Sequence, residues 1–317
     1  MARTRHADKI IEATQSSSAA RSQVAASWHR SALKHGLDPD ETRAPERVER
    51  AELDKRRAAL ERFMIVASPR LDMLFSLVGQ SGCAVLLTDA EGIVLDQRIS
   101  DRDTSAFEAW GLTAGADWSE AHQGTNGIGT CLTENRRVII DRDEHFFARN
   151  TGMSCIDAPI YGADGSVVAA LDVSSARADQ TEAFNRLISA QVGQTARAIE
   201  EAYFRAAFTS SRIIVADGDD TEAAVLLAVD RDDLVVGATR AARRIFDLQR
   251  TGEIPARPAA DILGCEDGPS GFRKAERAAV VRAIARADGN VSQAARQLGI
   301  DRATLYRRIK RLGLDES

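Results

Sequence analysis

The pattern of apolar and polar positions changes twice along the chain, and the changes predict three structural regions. Up to about residue 78, apolar residues recur at helical spacing, which predicts helices over about 20–35 and 45–77. Residues 82–175 contain short apolar runs separated by turns, a pattern typical of β-hairpins. A long helix over about 179–208 and one more short hairpin follow, and the spacing is helical again from about residue 275.

The middle region predicts antiparallel strand pairs. One hairpin joins two runs across Asp-Ala-Glu-Gly and a second joins two runs across Gly-Ala-Asp-Gly. The runs are Cys83–Thr88 with 93–97, and 156–161 with 167–173, and a further strand is predicted over 137–140. Antiparallel hairpins between flanking helices indicate an α+β domain.

The last region predicts three short helices. Gly289 suits a left-handed position after the first helix, Ser292 is the candidate N-cap of the second, and Gly299 makes a sharp turn before the third. Asp301 is the candidate N-cap of the third helix, whose apolar stripe is Leu305, Ile309 and Leu312. Two helices joined by a short glycine-containing turn, the second of them basic, are typical of a helix-turn-helix whose second helix enters the DNA major groove.

Charge supports this interpretation. Residues 271–317 carry 11 Lys and Arg against 5 Asp and Glu, a net charge of +6. The whole chain has a net charge of −5, which leaves −11 for the rest. A basic module on an acidic body predicts that the partner is double-stranded DNA and that this module binds it.

The candidate DNA-binding residues lie on the second and third of these helices. Arg302, at the start of the third helix, suits a bidentate contact to guanine, and Arg307, Lys310 and Arg311 suit phosphates. The full set is Ser292, Gln293, Arg302, Thr304, Tyr306, Arg307, Arg308, Lys310 and Arg311.

Residues 289–310, Gly-Asn-Val-Ser-Gln-Ala-Ala-Arg-Gln-Leu-Gly-Ile-Asp-Arg-Ala-Thr-Leu-Tyr-Arg-Arg-Ile-Lys, resemble the Fis-type helix-turn-helix. The resemblance implies a homodimer that reads an inverted repeat. The family's base and phosphate contacts would fall on Arg302, Thr304, Arg307, Lys310 and Arg311. Tyr306 stands where the founding member of the family has a basic residue.

The segment from about residue 20 to residue 208 resembles a GAF sensor domain, in particular that of acetoin-catabolism regulators of the AcoR type. The resemblance rests on Ser27-Trp-His-Arg-Ser, Leu87-Thr-Asp-Ala-Glu-Gly, Gly124-Thr-Asn-Gly-Ile-Gly-Thr, Cys155-Ile-Asp-Ala-Pro-Ile-Tyr-Gly and Gly165-Ser-Val-Val-Ala-Ala-Leu-Asp-Val-Ser-Ser. It implies a dimeric sensor of a small molecule or a redox signal.

The expected fold class is therefore an α+β GAF sensor domain, with an antiparallel sheet and flanking helices, plus a small all-α Fis-type domain. The expected segments are a flexible N-terminus (1–19), a helical region (20–78), the GAF domain (79–208), a short PAS-like connector (209–250), a linker (251–271) and the helix-turn-helix (272–317).

The candidate ligand-binding residues surround a glycine-rich string that begins at Gly124. They are Trp118, His122, Thr125, Asn126, Cys155 and Asp157. The string could cradle a phosphate through backbone N–H groups, but it matches neither the dinucleotide fingerprint nor the P-loop. Tight backbone packing under the sheet is the favoured interpretation, with Thr125 and Asn126 capping a helix over 128–134.

Neither a metal nor a cofactor is expected. The four cysteines form no C-x-x-C pair, so they are interpreted as core residues, with a redox role for one of them left open. Asp141, Asp143, Glu144, His145 and Cys155 are metal-binding residue types, but a solvated acidic loop is the favoured interpretation.

These features predict a DNA-binding transcriptional regulator rather than an enzyme, because no nucleophile has a paired base. AcoR-type regulators carry a central ATPase module, whereas this sequence has no Gly-Lys-Ser/Thr P-loop, so ATP-driven activation of sigma-54 promoters is not expected. The alternative is a Fis-like architectural protein whose GAF body only dimerises. Expected partners are DNA, a second copy, a small-molecule effector and, as a further candidate, RNA polymerase. The sequence lacks a signal peptide and a membrane-spanning apolar run, which predicts a cytoplasmic location.

Overall fold

The computed structural model describes residues 5–15, 22–177, 181–217, 224–264 and 271–314, and the side chains of all of these except residues 273 and 274. The chain forms two compact units, Met1–Ala256 and Arg257–Ser317. The first contains an α+β domain with an antiparallel sheet and the second is helical, which confirms the expected fold class.

Five strands form the main sheet of the first unit. They are β1 (Cys83–Thr88), β2 (Val94–Arg98), β3 (Val138–Asp141), β4 (Ser154–Tyr161) and β5 (Val167–Ser175). Their order is β2-β1-β5-β4-β3, and every neighbouring pair is antiparallel. Both predicted hairpins and the isolated strand are therefore confirmed.

Helices cover both faces of this sheet. Helices α4 (Glu61–Val78) and α8 (Glu182–Ala207) pack on one face, where Val85 and Leu87 point, and α5 (Thr104–Trp110) and α7 (Gly127–Glu134) pack on the other, where Ala84 and Leu86 point. Short helix α6 (Glu120–Gln123) lies against α7. Because successive side chains of a strand alternate between faces, β1 is buried along its whole length.

The N-terminal region differs from expectation in two places. Part of the segment expected to be flexible forms helix α1 (Arg5–Gln15), whose Ile10 is buried against Trp28 and Phe146. Its two adjacent isoleucines gave too weak a periodicity to predict a helix. Residues 1–4 and 16–19 of that prediction lie outside the described residues.

The helix expected over 45–77 is two helices, α3 (Arg50–Ala59) and α4, separated at Leu60, whose φ of −108° and ψ of 19° are not helical. Pro69 lies inside α4 without ending it. Helix α2 (Gln23–His29) continues into a π-helical turn, Arg30–Lys34, close to the predicted span.

A small antiparallel sheet follows α8. It contains β6 (Arg212–Val215), β7 (Leu226–Val229) and β8 (Leu234–Ala238), and helix α9 (Arg240–Ile245) comes next. The β7–β8 hairpin was predicted, whereas β6 was not, because its four residues are half-exposed. The segment predicted as a linker contains β9 (Arg257–Pro258) and α10 (Ala259–Leu263).

Three helices of the second unit, α11 (Phe272–Arg286), α12 (Val291–Gln297) and α13 (Arg302–Arg311), surround one core. That core contains Val280, Ala283, Ala287, Ala294, Ala295, Leu305, Ile309 and Leu312. Along the described ranges, no helix of either unit combines the length and the apolar content that crossing a bilayer would require.

Candidate functional site

The turn between α12 and α13 has the geometry predicted from the sequence. Gly299 adopts a left-handed φ of +65°, and the backbone N–H of Ile300 donates to the carbonyl of Ala295 at 3.0 Å. Asp301 then caps α13, because its Oδ1 accepts from the backbone N–H of Thr304 at 2.8 Å and its Oδ2 accepts from the Thr304 hydroxyl at 2.6 Å. The first of these bonds uses an N–H group that the first turn of a helix leaves without a partner.

The N-cap of α12 is Asn290, so the prediction of Ser292 was wrong. The Asn290 side chain accepts from the backbone N–H of Gln293 at 3.1 Å. Ser292 is the second residue of the helix and is partly buried, and Gln293 is exposed. Asn and Ser have similar N-cap preferences, which is why the sequence alone placed the helix start two residues late.

The outer face of α13 is polar and basic. Arg302, Tyr306, Arg307 and Lys310 are exposed, whereas the apolar stripe that ends at Leu312 faces the core. The Arg302 guanidinium lies 5.4 Å from the centroid of the Tyr306 ring, and Arg307 donates to the Thr304 hydroxyl at 3.0 Å. The helix therefore presents its cations outward, as a recognition helix requires.

Two of the predicted DNA contacts are engaged inside the unit. Glu276 of α11 accepts from Arg308 Nη1 at 3.1 Å and from Arg311 Nη2 at 2.5 Å. Arg308 and Arg311 must therefore exchange a carboxylate for a phosphate to contact DNA in the predicted way. We name this arrangement the Glu276 clamp.

The predicted ligand-binding residues fall into three environments. Trp118 is buried in the apolar core and donates its indole N–H to the carbonyl of Gly111 at 3.1 Å. His122 is exposed and pairs with Asp117 at 2.8 Å, so it does not lie with the others. The other four, Thr125, Asn126, Cys155 and Asp157, are all buried between the sheet and the helices of its second face.

A network of polar side chains surrounds Thr125. Its hydroxyl donates to the Ser27 hydroxyl at 2.8 Å, and Ser27 donates to Glu120 at 2.7 Å. Glu120, only 3% exposed, forms a bidentate pair with Arg30 at 2.6 and 2.9 Å. These contacts raise the pKa of the Arg30 guanidinium. The network joins α2 and its π-helical turn to α6 and α7, and sequence reasoning missed its central residues, Arg30 and Glu120.

Asp157 and Asp172 form a buried carboxyl pair. They are directly opposite each other on β4 and β5, and both are fully buried. Burial, followed by the charge of Asp172, raises the pKa of Asp157 well above its usual range, and burial raises the pKa of Asp172 to about 7. Among the residues that the structure describes, neither oxygen of Asp157 has an N–H or hydroxyl partner, whereas Asp172 accepts from the Ser174 hydroxyl at 2.8 Å. Asp157 is therefore the protonated member and Asp172 the acceptor.

Cys155 lies beside this pair as an unreactive thiol. His145 donates from Nδ1 to the carbonyl of Arg142 at 3.0 Å, so its Nε2, 3.3 Å from the Cys155 sulfur, is an acceptor for the thiol. Burial raises the pKa of Cys155 well above its usual range and lowers the pKa of His145 to about 4. A neutral thiol beside a neutral imidazole is a structural contact rather than an activated nucleophile.

The glycine-rich string packs closely, as the favoured interpretation predicted. A Cβ atom on Gly127 would collide with the Asp157 carboxyl, and one on Gly129 would lie 2.3 Å from the backbone nitrogen of Glu120. Asn126 caps α7 by accepting from the backbone N–H of Gly129 at 2.9 Å. Thr125 was also predicted as a cap, but its hydroxyl donates to the Ser27 hydroxyl instead.

The side chains that suggested a metal site make other contacts. Asp143 pairs with Lys9 at 2.5 Å, and Glu144 accepts from the backbone N–H of Asp141 at 2.8 Å. Within the ranges that the structure describes, no three or more His, Cys, Asp or Glu side chains are grouped as a metal site. Cys83, Cys131 and Cys155 are buried, and Cys265 lies outside the described residues.

Comparison with known proteins identifies both units. Residues 2–197 match the family described as "MimR, N-terminal domain", and residues 271–312 match "Bacterial regulatory protein, Fis family". The stretch between these two matches is too short for a central AAA+ ATPase domain.

Several curated regulators are similar in sequence. The chain is 30% identical over 242 residues to the acetoin catabolism regulatory protein of Cupriavidus necator, which covers 75% of this chain and 36% of that protein. It is 31% identical over 154 residues to the acetoin dehydrogenase operon transcriptional activator AcoR of Bacillus subtilis, covering 49% and 25%. It is 31% identical over 140 residues to the propane 2-monooxygenase operon transcriptional activator MimR of Mycolicibacterium smegmatis, covering 44% and 23%. The chain thus spans between 23% and 36% of the length of these relatives.

A solved structure supports the fold of the first unit. The crystal structure of the E. coli DhaR(N)–DhaL complex matches with a TM-score of 0.54 at 14% identity, covering 75% of this chain and 80% of that one. At this identity the likeness concerns the fold alone. The three curated relatives named above are described as a regulatory protein and two transcriptional activators. The chain therefore belongs to the MimR N-terminal domain family, and it carries a Fis-family helix-turn-helix with no room for a central AAA+ ATPase domain between the two matched regions.

Proposed function

We propose that the protein is a ligand-responsive transcription factor that binds duplex DNA as a homodimer in the cytoplasm. The observation that carries this proposal is the exposed basic face of α13 on a Fis-type helix-turn-helix. Without a central ATPase, the signal acts through DNA binding and through contact of the bound dimer with RNA polymerase, not through ATP-driven opening of sigma-54 promoters.

An apolar ridge on α4 supports the homodimer. Ile65, Pro69, Met73 and Leu77 follow one another at intervals of four residues, which places them on one side of the helix. Ile65 and Met73 are each 67% exposed and Leu77 is 58% exposed. Leu187 of α8, the helix packed beside α4, is 71% exposed. An apolar ridge on two packed helices suits a self-complementary interface between two copies of the chain.

A small molecule is favoured over a thiol redox signal. Burial raises the pKa values of Cys83, Cys131 and Cys155, so these thiols stay protonated and poorly nucleophilic. We propose that the effector acts on the first unit, and that no other cofactor or metal is needed. Thr125, Asn126, Cys155 and Asp157 stay candidates for its response, because all four are buried and the start of α7 at Gly127 packs against Cys155 and Asp157 of β4.

DNA binding is tested with a palindromic site taken from genome-wide mapping of bound sequences. Fluorescence anisotropy compares the wild type with Arg302→Ala/Arg307→Ala and with Arg282→Ala, an exposed arginine of α11 in the same unit. Each lost base or phosphate contact costs about 1–3 kcal/mol, so we expect the double variant to bind at least ~10-fold more weakly. The slope of log K against log salt should fall by about 1–2 for this variant, and Arg282→Ala should change neither quantity comparably.

Wild-type affinity in the double variant would refute the assignment of α13 as the recognition helix. Footprints measured with and without candidate metabolites then separate regulation from architecture. A footprint that stays unchanged over a broad metabolite library would favour the architectural alternative.

Dimerisation is tested separately by analytical ultracentrifugation. Ile65→Glu/Met73→Glu should shift the wild-type dimer to monomer, because two buried charges oppose the ridge contact. Leu33→Glu is the matched control, since Leu33 is 66% exposed and belongs to the π-helical turn Arg30–Lys34 rather than to α4 or α8. A double variant that remains dimeric would show that another surface forms the dimer.

A further inference from the structure

We propose that a cavity between α8 and α9 binds a small organic polyanion, a molecule with two or more carboxylate or phosphate charges. The cavity has a volume of about 410 Å³ and lies in the first unit, on the far side of the sheet from the buried polar network. This volume is within the range of small-molecule sites. Among the described residues, its ionisable lining includes Arg136, Arg137, Arg197, Arg240, Arg244 and Glu200.

The charge of the lining selects an anion. Five arginines and one glutamate line the cavity, and Arg136 also forms an ion pair with a carboxylate outside the lining, Glu134 at 3.4 Å. Guanidinium groups remain charged at every physiological pH. Burial raises the pKa of Glu200 to about 7, and its Oε1 accepts from the backbone N–H of Tyr161 at 2.9 Å. The carboxyl is therefore only partly ionised at neutral pH and held in place by the backbone, so it neutralises little of the positive charge.

Two of the arginines are held in position with donors remaining for a ligand. The Arg240 guanidinium stacks 3.9 Å from the centroid of the Tyr161 ring, which fixes its plane. Arg137 donates from Nη1 to the carbonyl of Ser189 at 3.3 Å. A guanidinium has five N–H donors arranged in a planar fork that matches carboxylate and phosphate oxygens. Ala158 and Pro159 add an apolar wall suited to the carbon skeleton of an organic anion.

A glycine in the middle of α8 gives an independent indication that the sequence maintains this cavity. Gly193 lies inside a 26-residue helix, where glycine costs about 0.5–1 kcal/mol relative to alanine. A Cβ atom at this position would lie 2.5 Å from Nη1 of Arg137. The missing side chain is therefore what allows Arg137 to lie across the helix at the cavity.

The position of the site suggests what the anion does. Arg137 and Arg197 belong to the α+β domain, whereas Arg240 and Arg244 belong to α9, which follows the small sheet. A ligand that binds both pairs ties α9 to the domain. If this ligand is the effector, that role rests on the proposed function, but the existence of the site does not depend on DNA binding.

The site is tested on the full chain by isothermal titration calorimetry at constant ionic strength. Sodium pyrophosphate represents phosphates and sodium citrate represents carboxylates, with sodium chloride as the control for ionic strength. We expect saturable binding of at least one probe at millimolar concentration or below, and the preferred probe distinguishes the two ligand classes. Absence of saturable binding by both probes would overturn the proposal.

Three variants locate the binding. Arg240→Gln and Arg137→Gln should each lower the affinity for the preferred probe about 10-fold or more, because each removes a charge-assisted contact. Arg231→Gln is the matched control, since Arg231 is 93% exposed in the turn between β7 and β8. Equal weakening by Arg231→Gln, or unchanged binding in the Arg137→Gln/Arg240→Gln double variant, would show that the probe binds elsewhere.

Gly193→Ala separates binding from folding. The new methyl group meets only the far end of a flexible arginine side chain, and alanine favours the helix. We expect weaker probe binding together with an unchanged or higher Tm, a combination that misfolding cannot produce. Unchanged binding in this variant would contradict the assigned role of Arg137.

Discussion

The buried carboxyl pair predicts an unusual pH dependence of stability, which Asp157→Asn should remove. In the folded chain Asp157 keeps its proton at neutral pH, because burial and the Asp172 charge raise its pKa. In the unfolded chain a carboxyl of this type loses its proton near pH 3.9. Between these two pKa values the folded state binds at least one more proton than the unfolded state, because Asp172, whose pKa burial raises to about 7, also holds a proton over part of this range. The free energy of unfolding therefore falls as pH rises.

The magnitude of this change in stability is worked out for the Asp157 proton alone. One proton of difference changes the free energy of unfolding by about 1.4 kcal/mol per pH unit. Ionisation of Asp157 in the unfolded chain therefore removes about 3 kcal/mol from stability between pH 5 and pH 7. Asparagine has the same shape and its amide donates to Asp172 without holding a titratable proton. We expect the stability of Asp157→Asn relative to the wild type to rise by at least about 3 kcal/mol from pH 5 to pH 7.

Urea unfolding followed by tryptophan fluorescence measures this difference. The chain has three tryptophans, Trp28, Trp110 and Trp118, and all lie in the first unit, so the signal reports the transition of that unit. Asp143→Asn is the matched control. Its carboxyl is exposed and Lys9 lowers its pKa, so its stabilising effect is lost only as pH falls through the acidic range.

Between pH 5 and pH 8 the control should therefore follow the wild type in slope. Parallel curves for the wild type and Asp157→Asn would refute the reasoning, because they would mean that Asp157 titrates alike in the folded and unfolded states.

Three further predictions concern packing and capping. Gly129→Ala should lower the free energy of unfolding by about 1–3 kcal/mol or more in the same urea assay, because its Cβ would lie 2.3 Å from the backbone nitrogen of Glu120; a change below about 0.5 kcal/mol would contradict the close packing. Leu305→Ala should destabilise the second unit by about 2–5 kcal/mol, since the leucine is fully buried, and circular dichroism melting in which that unit keeps its wild-type Tm would disprove this. Asp301→Ala should remove both bonds to Thr304 and lower the Tm of the second unit. In the same melting assay Asp301→Asn should retain most of that stability, and equal losses in the two variants would rule out the cap as the cause.

The helix-turn-helix was predictable from sequence because its signals are local. The left-handed turn at Gly299, the cap at Asp301 and the apolar stripe through Leu305 each depend on residues within one or two helical turns. The same locality explains the one wrong cap. Asn290 and Ser292 are both good N-caps, and choosing between them requires the backbone conformation at Asn290 rather than residue preference.

The buried pair and the cationic cavity could not be predicted in this way. Asp157 and Asp172 become neighbours only when the register between β4 and β5 is fixed, and a shift of one residue would separate them. Arg137, Arg197 and Arg240 come from three elements spread over more than one hundred residues. Each looks like an ordinary surface arginine in the sequence, and tertiary packing alone brings them to one cavity.

The Glu276 clamp has a consequence for how the chain searches DNA. When Arg308 or Arg311 meets a phosphate, it gives up a carboxylate within its own unit, so part of each new attraction replaces an existing one. The contact then releases fewer condensed counterions in net terms than a contact by an unclamped cation such as Lys310. DNA of random sequence offers only phosphate contacts. The helix-turn-helix therefore binds it more weakly than the number of basic residues in this unit suggests. A DNA site that also offers a base edge to Arg302 is bound more tightly than this non-specific DNA. Glu276, an acidic residue outside the recognition helix, therefore increases selectivity by weakening the phosphate contacts that all DNA sequences share.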